Sequence, residues 1–220
     1  WEHPFSLDLS DVGVGKTITM IAWLRRVIAR KLVSHALVIC PNSILDNWTK
    51  ELEAWSELTY VILRGPRDKR IALLQQSHIA DVYLINYEGL RVVYPFLVAM
   101  NFQAIICDEI HHAKAYKGSR NTPTQAFLVR ELGKGVPYRK GMTGTFLTNS
   151  IEDPWSICQF IDPRIFKTNS WGYRNRFMYN DNAGKPWMSF PKWLPKPGAI
   201  EEIHTLLEPY AIRFAKKDVL

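Results

Sequence analysis

Two short runs in this sequence place together residue types that can do chemistry. The first is Ser10-Asp11-Val12-Gly13-Val14-Gly15-Lys16-Thr17. It fits the phosphate-loop pattern G-x-x-x-x-G-K-[ST] at every position but the first, where serine stands for glycine. Gly13 and Gly15 free the backbone N–H groups of Asp11, Val12, Val14 and their neighbours to curl around phosphate oxygens. The amphipathic stretch ITMIAWLRRVI follows at once, so a helix N-terminus points at the same place. In this nucleotide-binding reading Lys16 reaches the β- and γ-phosphates, and Thr17 offers its hydroxyl to Mg²⁺. The second run is FQAIICDEIHH, an apolar stretch that ends in Asp108 and Glu109. One carboxylate, Asp108, suits Mg²⁺, and the other, Glu109, suits the polarising of a water. Lys16, Asp108 and Glu109 are thus the expected catalytic set, with a nucleotide and Mg²⁺ as cofactors. A glycine turn or a solvated acidic turn would explain either run alone, but not the two in one chain. His111 and His112 have no cysteine or second histidine cluster at ligand spacing, so no zinc is expected.

Such residues need a scaffold that brings a loop and a strand end to one edge. Apolar, β-branched runs at 36–40, 59–63, 82–85 and 104–107 alternate with helical patterns at 16–32, 44–55, 67–76 and 124–132. None of the strands alternates polar with apolar, so both faces are covered. That is an α/β fold with a mostly parallel sheet flanked by helices. Ligands bind such sheets beyond the C-terminal ends of the strands. Near residue 150 the rhythm changes. Residues 151–220 read as helical pieces interrupted by prolines, with no convincing strand, so the expected organisation is a lobe of 1–150 and a small helical appendage of 151–220. Between 164 and 196, seven basic residues face one acid, and eight aromatics are interleaved. Trp171, Tyr173 and Phe177 are expected to form a small core there, with the basic residues as a secondary duplex contact.

Composition narrows the class. The 220 residues are 47% hydrophobic and 22% charged, which excludes a disordered or fibrous chain. No apolar run is long enough to span a membrane, and the first residues lack a signal-peptide layout, so no membrane partner is expected. The formal charge of +7 is spread along the chain and permits a polyanionic partner. Cys40, Cys107 and Cys158 each sit in an apolar run and read as buried free thiols of a reducing, intracellular compartment.

Taken in order, the motifs resemble the Swi/Snf-type superfamily-2 ATPases. Asp108-Glu109-Ile110-His111 resembles their DExH box, and GMTGTFLTN at 141–149 their third motif. ALVICPNSILDNW at 36–48, DVYLINYEGLR at 81–91, WSICQFIDPRIF at 155–166 and RFAKKDVL at 213–220 resemble further family blocks, so the likeness runs from 9 to 220. The resemblance implies the first of two RecA-like lobes, from a DNA-dependent ATPase that translocates on double-stranded DNA and remodels protein–DNA complexes. Its partners would be double-stranded DNA and a second lobe of the same protein, entered after Leu220. It puts Pro41, Asn42, Ser43 and Tyr87 against the DNA backbone, with an N-cap role for Asn42 and Ser43 compatible with phosphate contact. It makes His111, Thr143, Gly144 and Thr145 the coupling residues. Phe146 stands where the third motif has proline, and the family's adenine-reading glutamine has no counterpart in 1–9. A strand-separating helicase, a restriction-type translocase and a non-catalytic DNA- or partner-binding scaffold stay open. The expected location is the cytoplasm of a bacterial or viral host, or a nucleus.

Overall fold

Val, Ile, Leu and Cys fill the central strand runs without a polar break, and such strands are stable only where both faces are covered. The computed structural model describes residues 3–76, 79–113, 123–144, 146, 151–182 and 191–219. It opens with β1 (Phe5–Asp8), α1 (Lys16–Ala29), β2 (Ala36–Cys40), α2 (Leu45–Trp55), β3 (Tyr60–Ile62) and α3 (Arg67–Gln75). Next come β4 (Val82–Asn86), α4 (Tyr87–Ala99), β5 (Ala104–Asp108), α5 (Gln125–Gly133) and β6 (Tyr138–Met142). The remainder holds α6 (Asp153–Ile161), α7 (Ser170–Phe177), β7 (Met178–Asn180), β8 (Trp193–Pro195), α8 (Ala199–Leu207), β9 (Ala211–Ile212) and α9 (Lys216–Val219).

Seven strands form one parallel sheet in the order β3-β4-β2-β5-β6-β1-β9. Side chains alternate between its two faces. Leu37, Ile39, Ile105 and Cys107 enter one core with α3 to α6, whereas Val38, Cys40, Ile106 and Met142 enter the other with α1 and α2. All three cysteines are free and buried. The register sets Cys40 beside Asn86, and Asp108 beside Met142, which is itself beside Asp8. The strand ends therefore make one continuous edge, and every candidate site residue in the described part lies along it. No helix among the described residues is long and apolar enough to cross a membrane.

The structure departs from the sequence reading at several elements. β6 has the sequence YRKGM, whose charges hide a strand. Lys140 is nevertheless fully buried, donating to Ser6 Oγ at 2.9 Å and to the His3 carbonyl, with its ammonium 4.9 Å from the Trp23 ring centre. α4 holds Pro95 and a non-helical Val93, so its periodicity is broken at mid-length. The stretch after 150 was expected to be free of strands, and this is corrected: β7 and β8 pair antiparallel, and β9 joins the main sheet beside β1. Its aromatic core is Phe166, Tyr173 and Phe177, with ring centres 4.8–5.7 Å apart. Trp171, expected in that core, is 72% exposed.

Candidate functional site

The phosphate loop turns where glycine is needed. Gly13 and Gly15 have φ of 88° and 86°, in the left-handed region that costs a side chain strain. Gly15 is the N-cap of α1 and no side chain caps the helix, so its first N–H groups face the loop. Lys16 Nζ spans the loop, donating to the Ser10 and Asp11 carbonyls at 2.9 Å each. Ser10, where the pattern has glycine, is buried and has its own partner. Its Oγ accepts from Phe214 N at 3.0 Å, Asp11 N donates to the Phe214 carbonyl at 3.0 Å, and Asp11 Oδ2 accepts from Lys216 N at 2.9 Å. The Asp11 carboxylate thus serves the segment after β9, and only its backbone belongs to the loop.

β5 delivers the acidic pair. Asp108 is 6% exposed; its Oδ2 accepts from Trp48 Nε1 and its Oδ1 from Glu109 N, both at 2.9 Å. Burial pushes its carboxyl up to about 6, against the lowering effect of the Trp48 hydrogen bond. Glu109 has φ of 48°, left-handed for a residue with a side chain. Its Oε2 accepts from Thr143 Oγ1 at 3.2 Å and lies 3.2 Å from His111 Nδ1, which is 2.9 Å from the same hydroxyl. Gly144 leans on the loop: a Cβ there would lie 3.2 Å from Val12 Cγ2. Thr145 lies outside the described residues.

Lys16, Thr17, Asp108 and Glu109 line one cleft of about 330 Å³, closed on one side by Asn47 and Glu51 of α2. Glu51 Oε2 is buried there without a hydrogen-bond partner among the described residues. No three His, Cys, Asp or Glu side chains among the described residues converge as a metal-binding cluster. The hard oxygens of Thr17, Asp108 and Glu51's orphaned atom fit Mg²⁺ that shares its shell with phosphate and water. Asn47, Trp48 and Glu51 escaped the sequence reading. Their signal was the spacing of 44, 47, 48 and 51, which is one face of a helix starting at a strand end.

Of the expected DNA contacts, Asn42 and Ser43 are exposed and Pro41 half-buried, in the 3₁₀ turn Asn42–Ile44 that leads into α2. Neither side chain caps a helix. Tyr87, the first residue of α4, is 1% exposed: its hydroxyl donates to the Asp108 carbonyl at 2.9 Å, and its ring stacks on His112 at 5.7 Å, so its side chain faces the core and not the surface.

The profile of the SNF2-related domain matches residues 9–220. The chain belongs to that family. Its curated relatives include the chromatin structure-remodeling complex subunit snf21 of Schizosaccharomyces pombe, 31% identical over 226 residues, covering 99% of this chain and 18% of that protein. The ISWI chromatin-remodeling complex ATPase ISW1 of Saccharomyces cerevisiae is 26% identical over 223 residues, covering 95% and 17%. The Sulfolobus solfataricus SWI2/SNF2 ATPase core in complex with dsDNA matches with a TM-score of 0.76 at 25% identity, over 99% of this chain and 43% of that one. The Sulfolobus solfataricus SWI2/SNF2 ATPase core domain matches with a TM-score of 0.73 at 26% identity, over 98% of this chain and 40% of that one. The sheet and its helices are those of a RecA-like lobe of the SNF2 core. This SNF2 chain spans only 8% to 19% of the length of the curated relatives it matches. These relatives are eukaryotic and the solved cores archaeal, which lends no support to the expected bacterial or viral source.

Proposed function

We propose that this SNF2 chain is the ATP-binding lobe of a DNA-dependent ATPase that moves along double-stranded DNA inside the cell and remodels protein–DNA complexes. The observation that carries this is the single cleft where Lys16, Thr17, Asp108 and Glu109 meet, on the same sheet edge as the exposed 41–43 turn. The loop N–H groups and the α1 N-terminus receive the phosphates. Lys16 Nζ exchanges its two carbonyl partners for β- and γ-phosphate oxygens, a stronger charge-assisted bond. Thr17 and Asp108 would hold Mg²⁺, which neutralises charge on those oxygens when bound. Glu109 accepts a hydrogen bond from the attacking water. His111 and Thr143 hold its Oε2, which leaves the other oxygen to aim. As the bond from the γ-phosphorus to the bridging oxygen breaks, the water proton passes towards Glu109. Thr143 also donates its N–H to the Asp8 carbonyl at 2.9 Å, so the third motif, with Gly144, senses the loop from below. The backbone N–H groups of Asn42 and Ser43, in the turn that Pro41 opens, suit a DNA phosphate. A second lobe would supply the arginine that stabilises transition-state charge and the other wall of the DNA cleft.

The test uses the intact protein. ATP hydrolysis should rise on adding duplex, and Lys16→Ala or Glu109→Gln should lower kcat by about 10²- to 10³-fold, on the scale of losing one transition-state contact. It should displace a third strand from triplex DNA and leave a forked duplex paired. Strand separation would favour a helicase instead, and absent nucleotide binding would favour a scaffold.

A further inference from the structure

Two buried aromatic residues spend their only polar hydrogen on one residue of the acidic box. Trp48, fully buried in α2, donates Nε1–H to Asp108 Oδ2; Tyr87, buried at the start of α4, donates its hydroxyl to the Asp108 carbonyl. Phenylalanine would fill the Tyr87 position as well, so packing alone does not ask for that hydroxyl. What they hold is the peptide between Asp108 and Glu109. Its oxygen is tied to Tyr87 and its N–H to Asp108 Oδ1, while Trp48 fixes the carboxylate that receives that N–H. Rotation of this peptide sets the φ of Glu109. A left-handed φ on a residue with a side chain is strained and persists only where its surroundings impose it. Released, the peptide would relax and swing the Glu109 carboxylate away from Thr143 and His111.

Both holders begin at the edge that faces DNA in the reading above, on which this inference rests. α2 follows directly on the 3₁₀ turn Asn42–Ile44, and Trp48 lies one helical turn beyond it. α4 follows Asn86, whose Oδ1 accepts from Arg70 Nη1 at 3.3 Å. The same face of α2 lines the nucleotide cleft through Ile44, Asn47 and Glu51. Tyr87 has a second line to the site. Its ring stacks on His112, which lies 4.7 Å from the His111 ring that touches Glu109. We propose that Trp48 and Tyr87 are positioning residues that hold the Asp108–Glu109 peptide in its hydrolytic geometry and transmit engagement of duplex DNA at the 41–43 and 86–87 edge to it.

Tyr87→Phe and Trp48→Phe in the intact protein test this with two readouts. In steady-state assays, DNA-stimulated kcat should fall about 10- to 100-fold, the usual scale for losing a group that orients a metal-facing carboxylate. KM for ATP and duplex affinity should stay within about threefold, the margin allowed for a lost neutral hydrogen bond remote from either ligand. In amide hydrogen exchange, a short blunt duplex should slow exchange over 41–48 in all three proteins, and over 104–113 in the wild type only. The inference is overturned if both variants keep that second slowing, if the loss falls on KM alone, or if it merely follows a loss of folded protein. Tyr87→Phe removes one oxygen and decides the matter should Trp48→Phe fold poorly. A wild type that binds no duplex would overturn the functional reading and this one together. A wild type protected at 41–48 but unchanged at 104–113 would overturn this inference alone.

Discussion

Lys140 stands in the middle of β6 with its ammonium out of water, held by Ser6, the His3 carbonyl and the Trp23 ring. Burial lowers its pKa from 10.5 to about 8. The folded value is the lower one, so folding disfavours the charged form: the full penalty applies below pH 8 and fades as pH rises towards 10.5. The unfolding free energy of the wild type should therefore climb through that window, by up to about 3 kcal/mol at about 1.4 kcal/mol per pKa unit. Lys140→Met should lack the climb. Denaturant titrations of both at pH 7.5 and 9.5 check this, and equal slopes would refute it. The same residue shows why part of the sequence was opaque. Lys16, Thr17, Asp108 and Glu109 could be picked out because their spacing fits two short local patterns, and the structure brings the four to one cleft. Lys140 and Tyr87 answer to neighbours far away in sequence, so Lys140 masked a strand and the hydrogen bond from Tyr87 to the Asp108 carbonyl could not be read from the sequence.

At the level of elements, β2, β4 and β5 were legible because a strand buried on both faces must be apolar throughout. β1, β6 and β9 lie towards one side of the sheet, are short or carry polar residues, and take their identity from strands distant in the chain. α7 illustrates a milder failure. Trp171, Tyr173 and Phe177 look like one aromatic group in sequence, yet on a helix only 173 and 177, four apart, share a face. Phe177→Ala should then lower the unfolding free energy by about 3–5 kcal/mol, the range for emptying a buried aromatic site. Trp171→Ala should change it by no more than about 0.5 kcal/mol, as exposed positions do. Thermal and denaturant melts of the two variants separate these outcomes, and comparable losses would mean that Trp171 packs after all.

For the molecule as a whole, the positive charge and the site edge suit a polyanion, and in the proposed reading the cleft described is one wall of a larger one. In that reading, residues 1–220 tested alone should bind nucleotide weakly and show almost no DNA-stimulated turnover, because the arginine that meets the developing charge would come from a second lobe. Turnover by this fragment that matches the intact protein and vanishes with Glu109→Gln would contradict that.

The place of β1 has a consequence for how the protein comes into being. β1 lies between β6 and β9, and the adjoining phosphate loop is laced to Phe214 and Lys216 across separations of 204 and 205 residues. On the ribosome β1 emerges early and must wait, unpaired, for strands made much later. Such long closures are slow and leave strand edges exposed meanwhile. The nucleotide site is therefore completed only after the segment beyond β9 has been made, although Ser10 of its loop is made 204 residues before Phe214 of that segment.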